Sequence, residues 1–441
     1  MQANVCQQVQ DGCPFGTYDA SKSSTYSNPN LPEFQIQYVD GTEIQGVYVS
    51  DVLNIGKTQV TNMTMAAALA ANSRGIGIMG VGFQSGEAGA GTGGFTYPNI
   101  ISVLQSEGLI NAQAYSLWLD DLAANTGSIL FGGVDTNKYH GDLVALPIQL
   151  DSQTQTISSF TVAWTGLEVT GGGQTSNFSP SSPQPAILDS GTTDTLLPDD
   201  IANNIFNGVG VLTDPEFGNV VPCDRANDDL TFSFTFGGSG GPVVNVSLSE
   251  FVTPLLTTDG SQPTFQDGTL ACTFAIEAAG DNPILFGDSF MRSAYVVYDL
   301  ENQQIGLAQT NFDSTQQNVK VFQSSSGIPG VVSTATAASV VQTFSGYLPQ
   351  TETALGATAT GALGSGATSR SATFHLTATP SATSSSGSSG SGSSGSGSSG
   401  SSSSTNAANP NLHPSAVGGT SIVVAGLVLA SFLFGGGLMV L

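Results

Sequence analysis

The most specific chemical signal in the chain is the run Ala186-Ile187-Leu188-Asp189-Ser190-Gly191-Thr192-Thr193. An apolar strand would deliver the Asp189 carboxylate to its end, Gly191 allows a tight turn, and the hydroxyls of Ser190 and Thr192 can hydrogen-bond it. A carboxylate held this way is a candidate for proton transfer. The bland alternative is an Asp that caps a turn. A lone Asp-Ser-Gly is common, but here Leu285-Phe286-Gly287-Asp288 follows it, and Ile78-Met79-Gly80 echoes that segment in the first half. Other chemistries fit poorly. Gly75-x-Gly77-x-x-Gly80 and Gly89-x-Gly91-x-x-Gly94 match a dinucleotide spacing, but neither sits in a βαβ unit. Gly237-Gly238-Ser239-Gly240-Gly241 has the spacing of a nucleophile elbow but reads as a hairpin. His140 is the only His ahead of the low-complexity region, so a Ser-His-Asp site is improbable. The chain has no Cys-x-x-Cys pair, and its His residues (His140, His375, His413) lie far apart, so no metal site is expected.

The elements that must hold Asp189 are short strands. Phe34-Gln35-Ile36-Gln37-Tyr38, Tyr115-Ser116-Leu117-Trp118-Leu119 and Leu230 to Phe236 all alternate, and Asp40-Gly41, Gly132-Gly133 and Gly237-Gly238 mark turns between strands. Helices are expected only near 99–107 and 199–207, so the class is mostly β. The 441 residues allow two or three domains. Thirty-three acidic residues against eight basic ones give a net charge of −25, which phosphate backbones would repel, so nucleic acid is excluded as a partner. Only 9% of residues are charged, too few for a disordered polyelectrolyte. Four Cys in such a chain suggest two disulfides and an oxidising compartment. Sequons at Asn62, Asn177 and Asn245 are glycosylation candidates on a secreted surface.

Taken together, these segments resemble the pepsin-like aspartic proteases, in particular their fungal, yapsin-like, cell-surface branch, along most of residues 6–310. Cys6…Cys13 with the following Gly16-Thr17-Tyr18-Asp19 is similar to the family's early disulfide loop. Phe34 to Gly46, with Tyr38, Asp40 and Gly41, is similar to the flap hairpin over the substrate. Gly77 to Gly82 resembles the segment that threads the first lobe's active-site loop, and Gly127 to Asp135 resembles the strand pair that ends that lobe. Cys223 and Cys272 match the second-lobe disulfide, and Ile284 to Asp299 matches the closing strands. The resemblance implies a bilobal β fold with one catalytic Asp from each lobe, and no metal or organic cofactor. Two carboxylates about 3 Å apart share a proton: the ionised one activates water and the protonated one polarises the scissile carbonyl. It assigns Asp189 as catalytic, Tyr38, Asp40, Gly41, Gly191, Thr192 and Thr193 to the flap and cleft, and Cys6–Cys13 and Cys223–Cys272 as disulfides. In a chain-entropy picture these contribute roughly 2.5 and 4 kcal/mol. The family's first Asp-Thr-Gly lies upstream of the first cysteine pair, and only five residues precede Cys6. The first lobe is therefore expected to lack its start, and the chain as written to be inactive.

Four segments are expected: an incomplete N-terminal lobe at 1–145 that carries the flap, and a C-terminal lobe at 146–313. A disordered Ser/Thr/Gly-rich stalk at 314–405 and a lipid-anchor signal at 406–441 follow. Asn406-Ala407-Ala408, a polar spacer and the apolar Ile422 to Leu441 fit such a signal better than a membrane span, with Asn406 as the attachment candidate. Met1 to Val5 shows no basic or apolar entry-signal region, so the entry signal is expected to be missing from this chain. The expected protein is a monomeric aspartic endopeptidase that cuts polypeptides at acid pH on a fungal cell surface or wall, held to the membrane through lipid. The rival is a non-catalytic cell-surface protein that reuses the cleft for binding. A glycosidase carboxylate pair is a distant third.

Overall fold

The computed structural model of the chain describes residues 5–342 apart from 8–11, 39–41, 73–75, 93, 125–126, 258–259, 324–325 and 337–339, with the backbone of Thr377–Ala378 and Ile422–Ala425. Asp40, Gly41 and Asn406, with most of the expected stalk and tail, lie outside these residues.

Alternation builds the core of the second half. Leu230–Phe236 buries Phe232, Phe234 and Phe236 completely on one face of the strand. Their rings meet Phe251, Phe286 and Phe290 edge-on, with Phe234 and Phe286 5.3 Å apart between centroids. Each buried ring contributes about 1.5–3 kcal/mol relative to exposure. This strand belongs to an eight-stranded sheet with the order Val243–Ser247, Leu230–Phe236, Thr161–Gly171, Gln184–Leu188, Ile284–Phe286, Thr195–Leu197, Ile276–Ala278, and Gln174–Asn177 added beside Thr161–Gly171.

A seven-stranded sheet joins both halves. Val331–Thr334, Tyr139–Pro147, Gln304–Thr310, Ala294–Asp299, Ala114–Trp118, Ser128–Phe131 and Ile422–Ala425 lie side by side. Its strands come from the first half, from the end of the second half and from beyond it. The alternation of Tyr115 to Leu119 suggests one dry face, but all of Ala114–Trp118 is buried. The strand lies inside the sheet with both faces covered. Ser116 accepts a hydrogen bond from the Tyr295 hydroxyl (2.8 Å), and Lys138 stands 3.6 Å from the centroid of the Trp118 ring. Glu33–Gln37, Glu43–Ile55 and Thr58–Ala71 form a separate three-stranded sheet. The expected helices appear at Ile100–Ser106 and Asp199–Val209.

Both cysteine pairs are bonded, with Cα atoms 5.2 Å (Cys6–Cys13) and 5.0 Å (Cys223–Cys272) apart. The expected stalk boundary needs correction. Past residue 313, Val319–Val321 pairs with Gly133–Asp135, Phe322 is fully buried, and Val331–Thr334 runs parallel to Tyr139–Pro147. Those apolar residues sit in a run rich in small and hydroxyl side chains, so composition hid them.

Candidate active site

Asp189 ends the strand Gln184–Leu188, which pairs in parallel with Ile284–Phe286: Ile187 lies opposite Leu285 and Leu188 opposite Phe286. One further ladder bond, from Asp189 N–H to Phe286 O (3.1 Å), carries the pairing to the carboxylate. The chain then turns back, and Thr195–Leu197 pairs antiparallel on the other side of Ile284–Phe286. The strand between them arrives about ninety residues later in sequence, so the loop 189–194 is threaded by a distant segment.

The turn fixes the carboxylate. Asp189 Oδ1 accepts from Gly191 N–H (2.9 Å), Oδ2 accepts from the Thr192 hydroxyl (2.7 Å), and Thr192 N–H donates to Asp189 O (3.2 Å). The second bond thus comes from the Gly191 amide rather than from the Ser190 hydroxyl. Gly191 serves through space rather than through positive φ: a Cβ there would lie 3.1 Å from Asp189 Oδ1. Gly287 is needed more strictly, since its Cβ would lie 2.3 Å from Asp194 O and 2.4 Å from Thr192 O. That close approach lets Asp288 N–H donate to Thr192 O (2.8 Å) and Ser289 N–H to Thr193 O (3.0 Å).

Beneath the loop, the Tyr298 hydroxyl donates to Leu188 O (3.3 Å), and its ring stacks on Tyr115 with centroids 4.7 Å apart. Burial pushes both phenols well up; Asp189 adds to the shift at Tyr298, and Tyr298 and then Asp189 add to it at Tyr115. Sequence reasoning passed over the acids behind this loop. Asp288 is 3% exposed with Oδ1 unpaired, and burial pushes its carboxyl well above the usual range, Arg292 opposing and Asp189 and Asp194 adding. Arg292 itself pairs with buried Glu250 (2.7 Å). Burial, reinforced by Glu277, pushes Asp194 up to about 7. The segment Leu285-Phe286-Gly287-Asp288 was visible in the sequence, but the depth at which Asp288 sits was not.

The expected flap is the hairpin of Glu33–Gln37 and Glu43–Ile55, with Phe34 opposite Gly46. Tyr38 N–H donates to Thr42 O (2.8 Å) at its end, and burial, with Glu87, Tyr48 and Tyr38 adding, pushes the Tyr97 phenol up. At the hairpin's base, Tyr48 meets Phe34, Phe95 and Tyr97 edge-on. Glu87 lies in this aromatic cluster. One of its oxygens accepts from Tyr97 N–H (2.9 Å), the other is buried and unpaired, and burial pushes the carboxyl up to about 7.

Two features lie away from Asp189. A cavity of about 570 Å³ is lined by Tyr18, Lys22, Thr25, Asp51 and neighbours, where Asp51 accepts from Thr25, Ser23 and Tyr18. Asp120, Asp121 and Asp313 bring carboxylate oxygens within 4.8 Å of one another, with Asp120 accepting from Asp313 N–H (2.8 Å). Asn62, Asn177 and Asn245 are all exposed.

Comparison with known proteins agrees with this geometry. The eukaryotic aspartyl protease family matches residues 2–310. The chain is 40% identical over 321 residues to the probable aspartic-type endopeptidase opsB of Aspergillus fumigatus, covering 72% of this chain and 64% of that one. It is 34% identical to aspartic proteinase 3 of Saccharomyces cerevisiae (76% of this chain, 58% of that one) and 32% identical to its yapsin-3 (78% and 66%). The chain thus spans 58–66% of the length of these relatives. The aspartic proteinase of Irpex lacteus shares the fold with a TM-score of 0.54 at 20% identity, over 69% of this chain and 88% of that one. With most of its length matched, the chain belongs to the eukaryotic aspartyl protease family.

Proposed function

We propose that the protein acts as an aspartic endopeptidase that hydrolyses extended polypeptides at acid pH, with Asp189 as one of two catalytic carboxylates. The supporting observation is the Asp189 turn, whose carboxylate oxygens are each held by one hydrogen bond on a loop threaded by Ile284–Phe286. The names of the relatives support the same activity. In the reaction the ionised carboxylate removes a proton from water, whose oxygen bonds to the scissile carbonyl carbon. The protonated carboxyl gives its proton to the carbonyl oxygen. The carboxyl that took the water proton then gives it to the amide nitrogen, and the C–N bond breaks. A hydroxyl of the tetrahedral intermediate returns its proton to the other carboxylate, restoring the shared proton. The apparent pKa values belong to the pair.

Residues 1–441 hold one Asp-Ser-Gly and no Asp-Thr-Gly. Asp288 is only 3% exposed, and burial pushes its carboxyl well above the usual range, so we do not take it as the partner. We take the second carboxylate from an Asp-Thr-Gly that this sequence does not contain. Two observations support that choice: Ile78 is 39% exposed, and a Cβ at Gly80 would meet nothing within 4 Å. Their counterparts are covered: Leu285 packs with Ile187, Leu196 and Ala279, and Gly287 lies against the carbonyls of Thr192 and Asp194 in the Asp189 loop.

The protein is further proposed to be a monomer at the fungal cell surface, glycosylated at Asn62, Asn177 and Asn245 and lipid-anchored near Asn406. Among the described residues no helix is long and apolar enough to cross a membrane. Acid-pH cleavage of an unfolded protein, blocked by pepstatin and lost in Asp189→Asn, tests the activity. Peptide binding without cleavage when both Asp motifs are present would favour the non-catalytic reading.

A further inference from the structure

The chain beyond residue 310, past the part the family covers, stays packed on the rest of the molecule. Phe322 N–H donates to Gly132 O (2.9 Å), and the Asn111 amide donates to Phe322 O (3.0 Å). Val331–Thr334 then adds an edge strand beside Tyr139–Pro147, and Ala335 N–H continues that ladder to Ala145 O (2.8 Å). Finally Gln342 bridges in parallel to Asp151 and accepts from Ser152 N–H (2.6 Å). Its side-chain amide donates to the hydroxyls of Ser159 (3.1 Å) and Thr161 (2.8 Å), and the residue is 3% exposed. A large amide is buried this deeply only where its hydrogen bonds are met.

Gln342 also lines a cavity of about 200 Å³ with Thr161, Pro185, Ile187, Asn282, Pro283 and Ile284. Ile187 lies two residues before Asp189, on the same face of the strand and about 7 Å away along it. Ile187 and Leu285 face away from the Leu188 and Phe286 core and form a small apolar cluster with Leu196 and Ala279.

We propose that this strap carries Gln342 into the wall of a substrate pocket on the Asp189 face, where it sets the size of the aliphatic side chain that the polypeptide can insert. The proposal rests on the protease reading and adds the substrate preference and the residue that sets it. The two prolines and two isoleucines select an apolar group. The buried amide, tied to Ser159 and Thr161, closes the pocket with a group that rotates only by giving up hydrogen bonds.

The test needs no turnover. Fluorescently labelled octapeptides that differ at a single position (Ala, Val, Leu or Phe) are titrated into the full chain and its Gln342→Ala and Gln342→Asn variants, with binding read by anisotropy. At one peptide position the wild type should bind Val or Leu about tenfold more tightly than Phe, the scale on which apolar pockets discriminate. Gln342→Ala should erase most of that preference by admitting Phe, and Gln342→Asn should fall between. Circular dichroism confirms that the variants are folded. Wild-type binding without side-chain preference at any position, a preference unchanged in both variants, or no peptide binding would overturn the pocket. Preference without cleavage in a form that holds both Asp motifs would instead overturn the catalytic reading and leave the pocket standing.

Discussion

At the residue scale, two acids, Asp194 in the Asp189 turn and Glu87 beside the flap hairpin, tie the fold to acid conditions. Burial pushes Asp194 and Glu87 each up to about 7, above the ordinary carboxylate values near 4. A carboxyl whose folded value is raised contributes stability that is fully present below its unfolded value and lost as pH rises through the folded one. The melting temperature should therefore fall between pH 4 and pH 7, and Asp194→Asn and Glu87→Gln should each flatten that fall in thermal melts. A wild-type melting temperature that does not fall over this range would contradict the assignment. Asp189 was legible in the sequence because an apolar run delivered it to a Ser-Gly-Thr turn. Glu87 and Asp194 were not legible, because their burial depends on Tyr97, Tyr48 and Glu277, which pattern alone does not place beside them.

The working element is the turn 189–194 stitched to Gly287–Ser289. Gly287→Ala places a methyl where Thr192 O and Asp194 O already stand. Overpacking of that kind costs about 1–3 kcal/mol. It should also displace Asp189, and a shift of about 1 Å can cost ~100-fold in rate. Denaturant melts and peptidase assays on Gly287→Ala separate the two effects. Phe286→Ala should cost about 3–5 kcal/mol in denaturant unfolding, because its ring meets Phe234, Phe236, Phe290 and Trp164 in the core. Strand identity came from alternation, which succeeded for Leu230–Phe236 with its one apolar face. It failed to foresee that both faces of Ala114–Trp118 are buried, because a central strand's second face is covered by segments far away in sequence.

At the scale of the whole molecule, two halves share a seven-stranded sheet, and the chain past residue 313 adds an edge strand to it. Composition made 314–405 look like stalk throughout, because two or three apolar anchors such as Phe322 and Ile328 are diluted by small residues. Loss of the Cys223–Cys272 bond in a double Ser variant should cost about 2–5 kcal/mol, seen as a lower denaturant midpoint. The central claim, that Asp189 is half of a two-carboxylate site, is tested most directly by an acid-pH peptidase assay on three forms of the protein. They are residues 1–441, the same chain extended upstream to include an Asp-Thr-Gly, and that extended form with Asp189→Asn. The extended form should cleave unfolded substrate, and the other two should fall below it by at least about 10²–10⁴-fold, the usual contribution of a positioned acid or base. Equal turnover by residues 1–441, or undiminished turnover by the Asp189→Asn form, would contradict the assignment.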